Sequence, residues 1–298
     1  MSNLVSIITV NYYSEDEILG CLHSIKEFNT ARIEFIVVSN SPLHSILKEQ
    51  KPTINADIIL HQNASNLGFA KACNIGAKLA QGDFVFFLNP DTRFLNDAIP
   101  KLLSCYQSIK KPGLIGPATL NDRNKEVPTA KNHLTKKYFI SLVFPFLNRL
   151  LSSDSKTGHF KPLKTQAVPV LNGHALFFEL QQFNNIGGME EEFFMYWEEN
   201  DLSLRLRKVG KQVIYCAEAK IMHKSGTSTN PYFIAMEIEK HRSQKKFILK
   251  HYPSWSLLNR ISGCLAYSWR TFGSLLTFNK KKVSQFWNIF IWYCFKYK

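Results

Sequence analysis

The sequence predicts an α/β fold: a central mixed, mostly parallel sheet with helices on both faces, followed by a C-terminal helical appendage that is basic and aromatic-rich. Three observations predict it. Apolar runs of strand length alternate with segments of helical spacing as β-α-β-β-α-β-α over residues 4–109, the order that builds a parallel sheet covered by helices. The run FVFFLNPDT (84–92) is apolar on both faces, as in a strand buried between two helix layers. From Lys240 to Lys298 the chain carries twelve Lys/Arg and no Asp or Glu, interleaved with aromatic residues.

Each element has its own signal. LVSIITVNY (4–12) is a β-branched apolar run, and Ile18, Leu19, Leu22 and Ile25 follow at helical spacing. IEFIVVSN (33–40) and ADIILHQ (56–62) are two further strands, the first ending in a turn-like NSP. NLGFAKACNIGAKLAQG (66–82) is an Ala/Leu helix punctuated by glycine, and a helix over about 96–109 follows the FVFFL strand. Residues 120–168 are irregular, polar and basic around an apolar KYFISLVFPFLNRLL (137–151), which suits a crossover or lid. VPVLNGHALFFEL (168–180) reads as a strand pair, residues 191–210 as an aromatic approach to a helix ending at Gly210, and QVIYCAEAKIMH (212–223) as strand–turn–strand. A basic helix over about 232–251 opens the tail.

Composition narrows the function. The 298 residues are 45% hydrophobic and 20% charged, which excludes disorder, collagen and coiled coil as the main state. Six scattered cysteines without C-x-x-C spacing argue against a zinc site or disulfide framework and fit a reducing compartment. The first residues have no basic leader, and no run of 18 apolar residues exists, so neither a signal peptide nor a spanning helix is expected. The net charge of +14 is lopsided: the tail accounts for +12, leaving the first 239 residues nearly neutral. Such a tail suits an anionic surface, membrane or nucleic acid.

Four segments could carry chemistry. Asp91 stands beyond the C-terminal end of a buried strand, where open α/β sheets bind ligands and where a carboxylate suits a divalent cation on phosphate oxygens; Asn-Pro-Asp is equally a strand-ending turn. The glycines of residues 66–82 allow close backbone approach, to a nucleotide or to the sheet beneath. Glu198, Glu199 and Asp201 crowd a helix start. There they could complement the dipole, with Asp201 pairing Arg205 at i,i+4, or one carboxylate could be desolvated into a general base. His223 ends a strand and could join Asp91 in a mixed oxygen and imidazole metal site.

The order of these segments resembles the family 2 inverting glycosyltransferases, in particular their bacterial rhamnosyltransferase-like branch. The resemblance covers about residues 4–230 and rests on VSIITVNYYS, on NLGFAKACNIGAKLAQGDFVFFLNPDT, and on GGMEEEFFMYWEENDLSLRLRKVG followed by His223. It implies an A-type glycosyltransferase fold with a Rossmann-like nucleotide-binding sheet. It implies that Asp91 and His223 hold Mg2+ or Mn2+ on the donor diphosphate, with Asn89 where other branches have a first Asp. Glu199 would be the base, with Glu198 beside it. Thr9, Val10, Asn11 and Ser39 would meet the nucleotide base. Asn66, Gly68 and Asn74 would line the nucleotide–sugar pocket, and Gly173 and His174 would border the donor sugar.

Three positions depart from the family pattern. Ser39 stands where the second strand normally ends in Asp, so a hydroxyl replaces the base-recognising carboxylate and loses charge assistance. Met189-Glu190-Glu191 replaces F-D-E, and Glu199 replaces Asp. One methylene moves the carboxylate by about 1 Å, a displacement that can cost on the order of 100-fold; the backbone compensates, or Glu198 acts instead, or activity is low. The reading that follows is a metal-dependent inverting glycosyltransferase. It would move a hexose or deoxyhexose, L-rhamnose first, from a dTDP- or UDP-sugar to a polyprenyl diphosphate-linked glycan in O-antigen or capsule assembly. The alternative is a non-catalytic sugar-nucleotide or glycan-binding module on the same scaffold. The expected division is a transferase domain over 1–235, with a nucleotide-sugar half (1–115), a crossover or lid (116–168) and an acceptor-side half (169–235), then the tail (236–298). The tail, with Trp255, Trp269, Trp287 and Trp292, is expected to bind an anionic membrane surface and no nucleic acid, on the cytoplasmic side of the cytoplasmic membrane.

Overall fold

The computed structural model describes residues 3–43, 56–144, 158–224 and 233–297. The expected lid and the apolar 137–151 segment therefore lie partly outside the described residues, at 145–157. The chain divides into two compact units, one formed by residues 1–131, 159–194 and 198–228, the other by 132–158, 195–197 and 229–298.

In the first unit, β1 (Val5–Asn11), α1 (Glu15–Phe28), β2 (Ile33–Ser39), β3 (Ala56–Gln62), α2 (Phe69–Leu79), β4 (Phe84–Leu88), β5 (Thr92–Phe94) and α3 (Ala98–Ser108) follow the predicted alternation. Then come β6 (Pro112–Leu120) and β7 (Ala130–Lys131); after α4 (Lys136–Val143), which belongs to the second unit, come β8 (His159–Phe160), β9 (Gln166–Ala167), β10 (Val170–Leu171), β11 (Ala175–Glu179), α5 (Leu180–Asn185), α6 (Glu198–Lys208) and β12 (Gln212–His223). The main sheet runs β3-β2-β1-β4-β11-β6-β12-β5, with β9 beside β12. Strands β1 to β4 are parallel, β11 lies antiparallel between β4 and β6, and β12 returns parallel to β6. Val5 and Ile7 join a core with Ile18, Leu22 and Phe86, whereas Ile8 joins one on the opposite face with Ala70, Ala77 and Phe87. Burial on both faces is why β4 reads as an unbroken apolar run and why β1 and β2 are apolar at most positions on both faces.

Three elements differ from the sequence reading. The strand Pro112–Leu120 goes unread because two prolines and two glycines interrupt it. Pro112 opens the strand, and Pro117 sits at the register shift where Cys216 and Lys220 of β12 face successive residues of β6. Both are places where a missing N–H is tolerated. The predicted strand pair over 168–180 is two strands in different sheets: β10 joins β7 and β8 in a small antiparallel sheet, and β11 enters the main one. Residues 212–223 form one strand with a bulge, not strand–turn–strand. The bulge re-aims the last residues, so Ile221–His223 pair with β5.

Gly68, just before α2, and Gly76 within it are both tightly packed. Gly68 has φ +85°, and a Cβ there would meet the Phe194 carbonyl oxygen at 2.4 Å, while a Cβ on Gly76 would lie 2.4 Å from Ile8 Cγ2.

The second unit holds α4 (Lys136–Val143), α7 (Phe233–His251), α8 (Ser256–Leu276) and α9 (Lys280–Ile291), ending in a π-helical turn at Trp292–Lys296. Tyr267, Ile289, Trp292, Tyr293 and Tyr297 form its core. His241 sits between two phenols, Nε2 2.7 Å from Tyr267 Oη and Nδ1 2.8 Å from Tyr293 Oη. Burial lowers its pKa to about 3, so it is neutral. All six cysteines are free, although Cys264 and Cys294 bring their sulfurs within 3.3 Å. No described helix is long and apolar enough to cross a membrane.

Candidate active site

The turn after β4 presents the first carboxylate. Thr92 N and Oγ1 both donate to Asn89 O, at 3.3 and 2.7 Å, closing the Asn89–Thr92 turn. Asn89 N donates to His174 O at 2.9 Å, tying this turn to the residue before β11. Asp91 thus projects past the C-terminal end of a parallel strand. His223, the last residue of β12, places Nε2 3.1 Å from Asp91 Oδ1 and 3.5 Å from Asn89 Nδ2. The His174 ring stacks on His223 with centroids 4.5 Å apart, and its Nε2 lies 2.8 Å from Thr119 Oγ1. Burial, reinforced by His223 and His159, holds His174 well below the usual imidazole range, so it is neutral.

Asp91 and His223 suit a divalent cation. A hard cation with bonds of about 2.0–2.1 Å at right angles needs adjacent donors about 3 Å apart, close to the 3.1 Å observed. Among the described residues no cluster of three His, Cys, Asp or Glu could hold a metal. A two-donor set leaves positions for phosphate oxygens and water, the usual manner of Mg2+, and imidazole suits Mn2+ better than Mg2+.

The acidic pair lies across Gly173, the neighbour of His174. A Cβ built on Gly173 would stand 3.7 Å from both Glu198 Oε1 and Glu199 Oε2. Just before the pair, Tyr196 and Trp197 take φ values of 70° and 73°. That left-handed backbone costs about 1–2 kcal/mol per residue, strain of the kind found where a functional side chain must be aimed. Glu199 makes an ion pair with Lys131 and accepts from Asn200 Nδ2 at 3.1 Å. Glu198 is 5% exposed, and its Oε2 finds no hydrogen-bond partner among the described residues. Burial first, and the charge of Glu199 second, push its pKa up to about 8, partly offset by Lys131. Near neutral pH Glu198 therefore holds a proton. Asp201 is structural, as the i,i+4 spacing allows: it accepts from Arg205 Nε at 2.6 Å, while Arg205 also donates to the Ile186 and Gly188 carbonyls.

The residues expected around the nucleotide are mostly committed within the chain. Ser39 is fully buried; its hydroxyl donates to Ser41 O at 2.6 Å and accepts from Asn11 Nδ2 at 2.9 Å. Its hydroxyl is thus engaged on both sides within the chain. Asn11 Oδ1 accepts from Ser14 N at 3.0 Å, and Thr9 Oγ1 donates to Leu88 O at 2.5 Å. Val10 is half-buried at the same strand end. Asn66 Oδ1 caps Gly68 N at 3.0 Å, and the space beside Gly68 is filled by Phe194. Asn74 clamps the segment after Gly188: Nδ2 donates to Met189 O at 2.8 Å and Glu191 Oε1 at 3.1 Å, and Oδ1 accepts from Met189 N at 2.9 Å. Lys131, Thr119 and Asn200 escaped the sequence reading. Lys131 lies on a two-residue strand in the irregular stretch, and Thr119 lies on the unread strand, so neither carried a local signal.

Comparison with known proteins agrees with this architecture. The profile described as glycosyl transferase family 2 matches residues 6–162. The N-acetylglucosaminyl-diphospho-decaprenol L-rhamnosyltransferase of Mycobacterium tuberculosis is 24% identical over 212 residues, 67% of this chain and 69% of that protein. The dTDP-rhamnosyl transferase RfbF of Shigella flexneri is 28% identical over 233 residues, 76% of this chain and 70% of that protein. The mannosyltransferase PcManGT of Pyrobaculum calidifontis, solved with GDP-Man and Mn2+, superposes with TM-score 0.60 at 13% identity over 100% of this chain and 89% of that one. The fold is thus the A-type glycosyltransferase fold. Because the profile runs over more than half of the chain, the protein belongs to glycosyl transferase family 2 and is an enzyme that transfers a hexose.

Proposed function

We propose that the enzyme transfers a deoxyhexose, L-rhamnose in the first instance, from a dTDP- or UDP-sugar to a hydroxyl of a polyprenyl diphosphate-linked oligosaccharide. The setting would be bacterial assembly of a surface polysaccharide such as O-antigen or capsule. The observation that supports the reading is the Asp91–His223 contact with His174 stacked on it, while Gly173, the residue before His174, lies beside the Glu198–Glu199 pair. The rhamnosyltransferase-like branch is supported by the mycobacterial and Shigella relatives, and the lipid-linked acceptor by the decaprenol named for the first. A peripheral position on the inner face of the cytoplasmic membrane follows from that acceptor.

Asp91 and His223 would hold Mg2+ or Mn2+, which when bound stabilises the charge of a leaving diphosphate. Glu199 takes the proton from the attacking hydroxyl as the new bond forms. Lys131 and Asn200 fix one oxygen of Glu199 and leave the other toward Gly173. Glu198, already protonated, does not compete for the acceptor proton and adds no charge that would repel the donor. Neutral His174 stacks on His223 and holds it in place. A single displacement from the face opposite the diphosphate inverts the anomeric carbon without a covalent sugar–enzyme intermediate.

A thermal-shift panel of UDP, dTDP and GDP with Mg2+ or Mn2+, repeated on Asp91→Ala, tests the donor side. dTDP with metal should raise the melting temperature, and the substitution should remove the effect. Stabilisation by GDP alone would overturn the donor. A product of retained anomeric configuration would overturn the single displacement.

A further inference from the structure

Helix α8 is turned inside out. Apart from the buried ring of Tyr267, its inner face is small or polar: Asn259, Ser262, Gly263, Ala266, Thr271 and Ser274. Its exposed residues are mostly large and apolar, among them Leu258, Ile261, Leu265, Trp269, Phe272 and Leu276, with Arg260 and Ser268 the exposed polar exceptions. Trp269 is 67% exposed, and Phe278, just past the helix, 91%. A soluble helix turns the apolar stripe inward; small residues inside and large apolar ones outside is the arrangement of a helix whose outer solvent is lipid. Close packing explains the inner face. A Cβ on Gly263 would overlap the Tyr293 ring, and Asn259 Nδ2 donates to Tyr297 Oη at 2.9 Å.

The surroundings point to one occupant. Lys280, Lys281 and Lys282 are exposed at the end of the stripe, and Trp287 of α9 is exposed beyond them. No acidic residue lies between Lys240 and Lys298. Of the four tryptophans that the sequence offered as membrane anchors, Trp292 is buried in the core and Trp255 stacks on Tyr252; Trp269 and Trp287 remain outside. We propose that this face of α8, with Phe278 and Trp287, lies flat in the headgroup layer of an anionic lipid bilayer, held by the lysine triplet. No described helix has the length and apolarity to span, and an amphipathic helix with a basic flank binds in the plane of the interface. This deepens the membrane position proposed above, but vesicle binding needs neither donor nor acceptor. Its failure would therefore leave the transferase reading intact.

The test is co-sedimentation of the full chain with phosphatidylcholine vesicles, with and without phosphatidylglycerol. Wild type should bind the anionic vesicles. Leu265→Gln/Trp269→Gln/Phe272→Gln should weaken binding at least about tenfold while keeping the melting temperature, because these side chains are exposed. Lys280→Gln/Lys281→Gln/Lys282→Gln should weaken binding about a hundredfold on anionic vesicles and little on neutral ones. Brominated lipid should quench wild type more than Trp269→Phe. Unchanged vesicle binding by the apolar triple variant overturns the proposal. So does a wild-type dimer in sedimentation that the same variant dissociates while vesicle binding is absent, since the face would then cover a second copy.

Discussion

Glu198→Gln isolates the electrostatics of the acidic pair. In the unfolded chain Glu198 loses its proton near the ordinary value of 4.5; in the folded protein it keeps it until about 8. Between those values the folded state binds the extra proton, so folding stability falls as pH rises, and the loss is complete above about pH 8. At about 1.4 kcal/mol per unit, the window of roughly 3.5 units bounds the loss at about 5 kcal/mol. Glutamine has the same shape and no proton to release, so the variant escapes this loss. With about 2 °C per kcal/mol for a chain of this size, its melting temperature should match wild type near pH 5 and exceed it by as much as about 10 °C near pH 8.5. Differential scanning fluorimetry across pH 5–9 at constant ionic strength reads the difference, which cancels every other titrating group. A gap that does not change with pH would refute the reasoning. Repeating the comparison on a Glu199→Gln background should shrink the gap, because the second cause of the shift is then gone.

The remaining predictions concern roles. Glu199→Gln should lower kcat about 10²–10⁴-fold while leaving the nucleotide-induced thermal shift in place, whereas Glu198→Gln should keep kcat within about tenfold at pH 7; the reverse ranking would make Glu198 the base. Lys131→Met leaves Glu199 buried without its cation, a loss of about 3 kcal/mol measurable by denaturant titration; unchanged stability would count against the ion pair. Asn74→Ala removes three hydrogen bonds to Met189 and Glu191 and should cost about 1–3 kcal/mol with nucleotide binding intact; lost nucleotide binding at wild-type stability would return Asn74 to the pocket wall. Gly173→Ala adds a methyl at ordinary contact distance from both carboxylates, so it should fold normally and lower kcat/KM by steady-state assay.

Much of the fold is legible because burial on both faces leaves a plain mark. FIVV and FVFFL are apolar at every position and IITV at all but Thr9, and the helices between them repeat at 3.6 residues. Pro112–Leu120 is illegible for the opposite reason, since its prolines sit at the start and at a bulge that only the pairing with β12 reveals. In the site, Asp91 and the Glu198–Glu199 pair are legible as carboxylates at element ends. Lys131 and Thr119 are not, because each meets the candidate site only through a partner more than fifty positions away. Ser39 and Asn74 show a further limit of local reading: the hydrogen bonds they make inside the chain, to Ser41 and Met189, follow only from the tertiary structure.

The chain by itself determined the parallel half of its sheet, most of its helices, the family it belongs to and the basic, acid-free tail, because hydrophobic periodicity and ordered motifs are local properties. Tertiary structure alone decided which carboxylate carries a proton, since that depends on burial and on a lysine brought from a distant strand. It alone decided which face of α8 looks outward, since the helix has two usable faces and only packing against its neighbours chose the small, polar one for the inside.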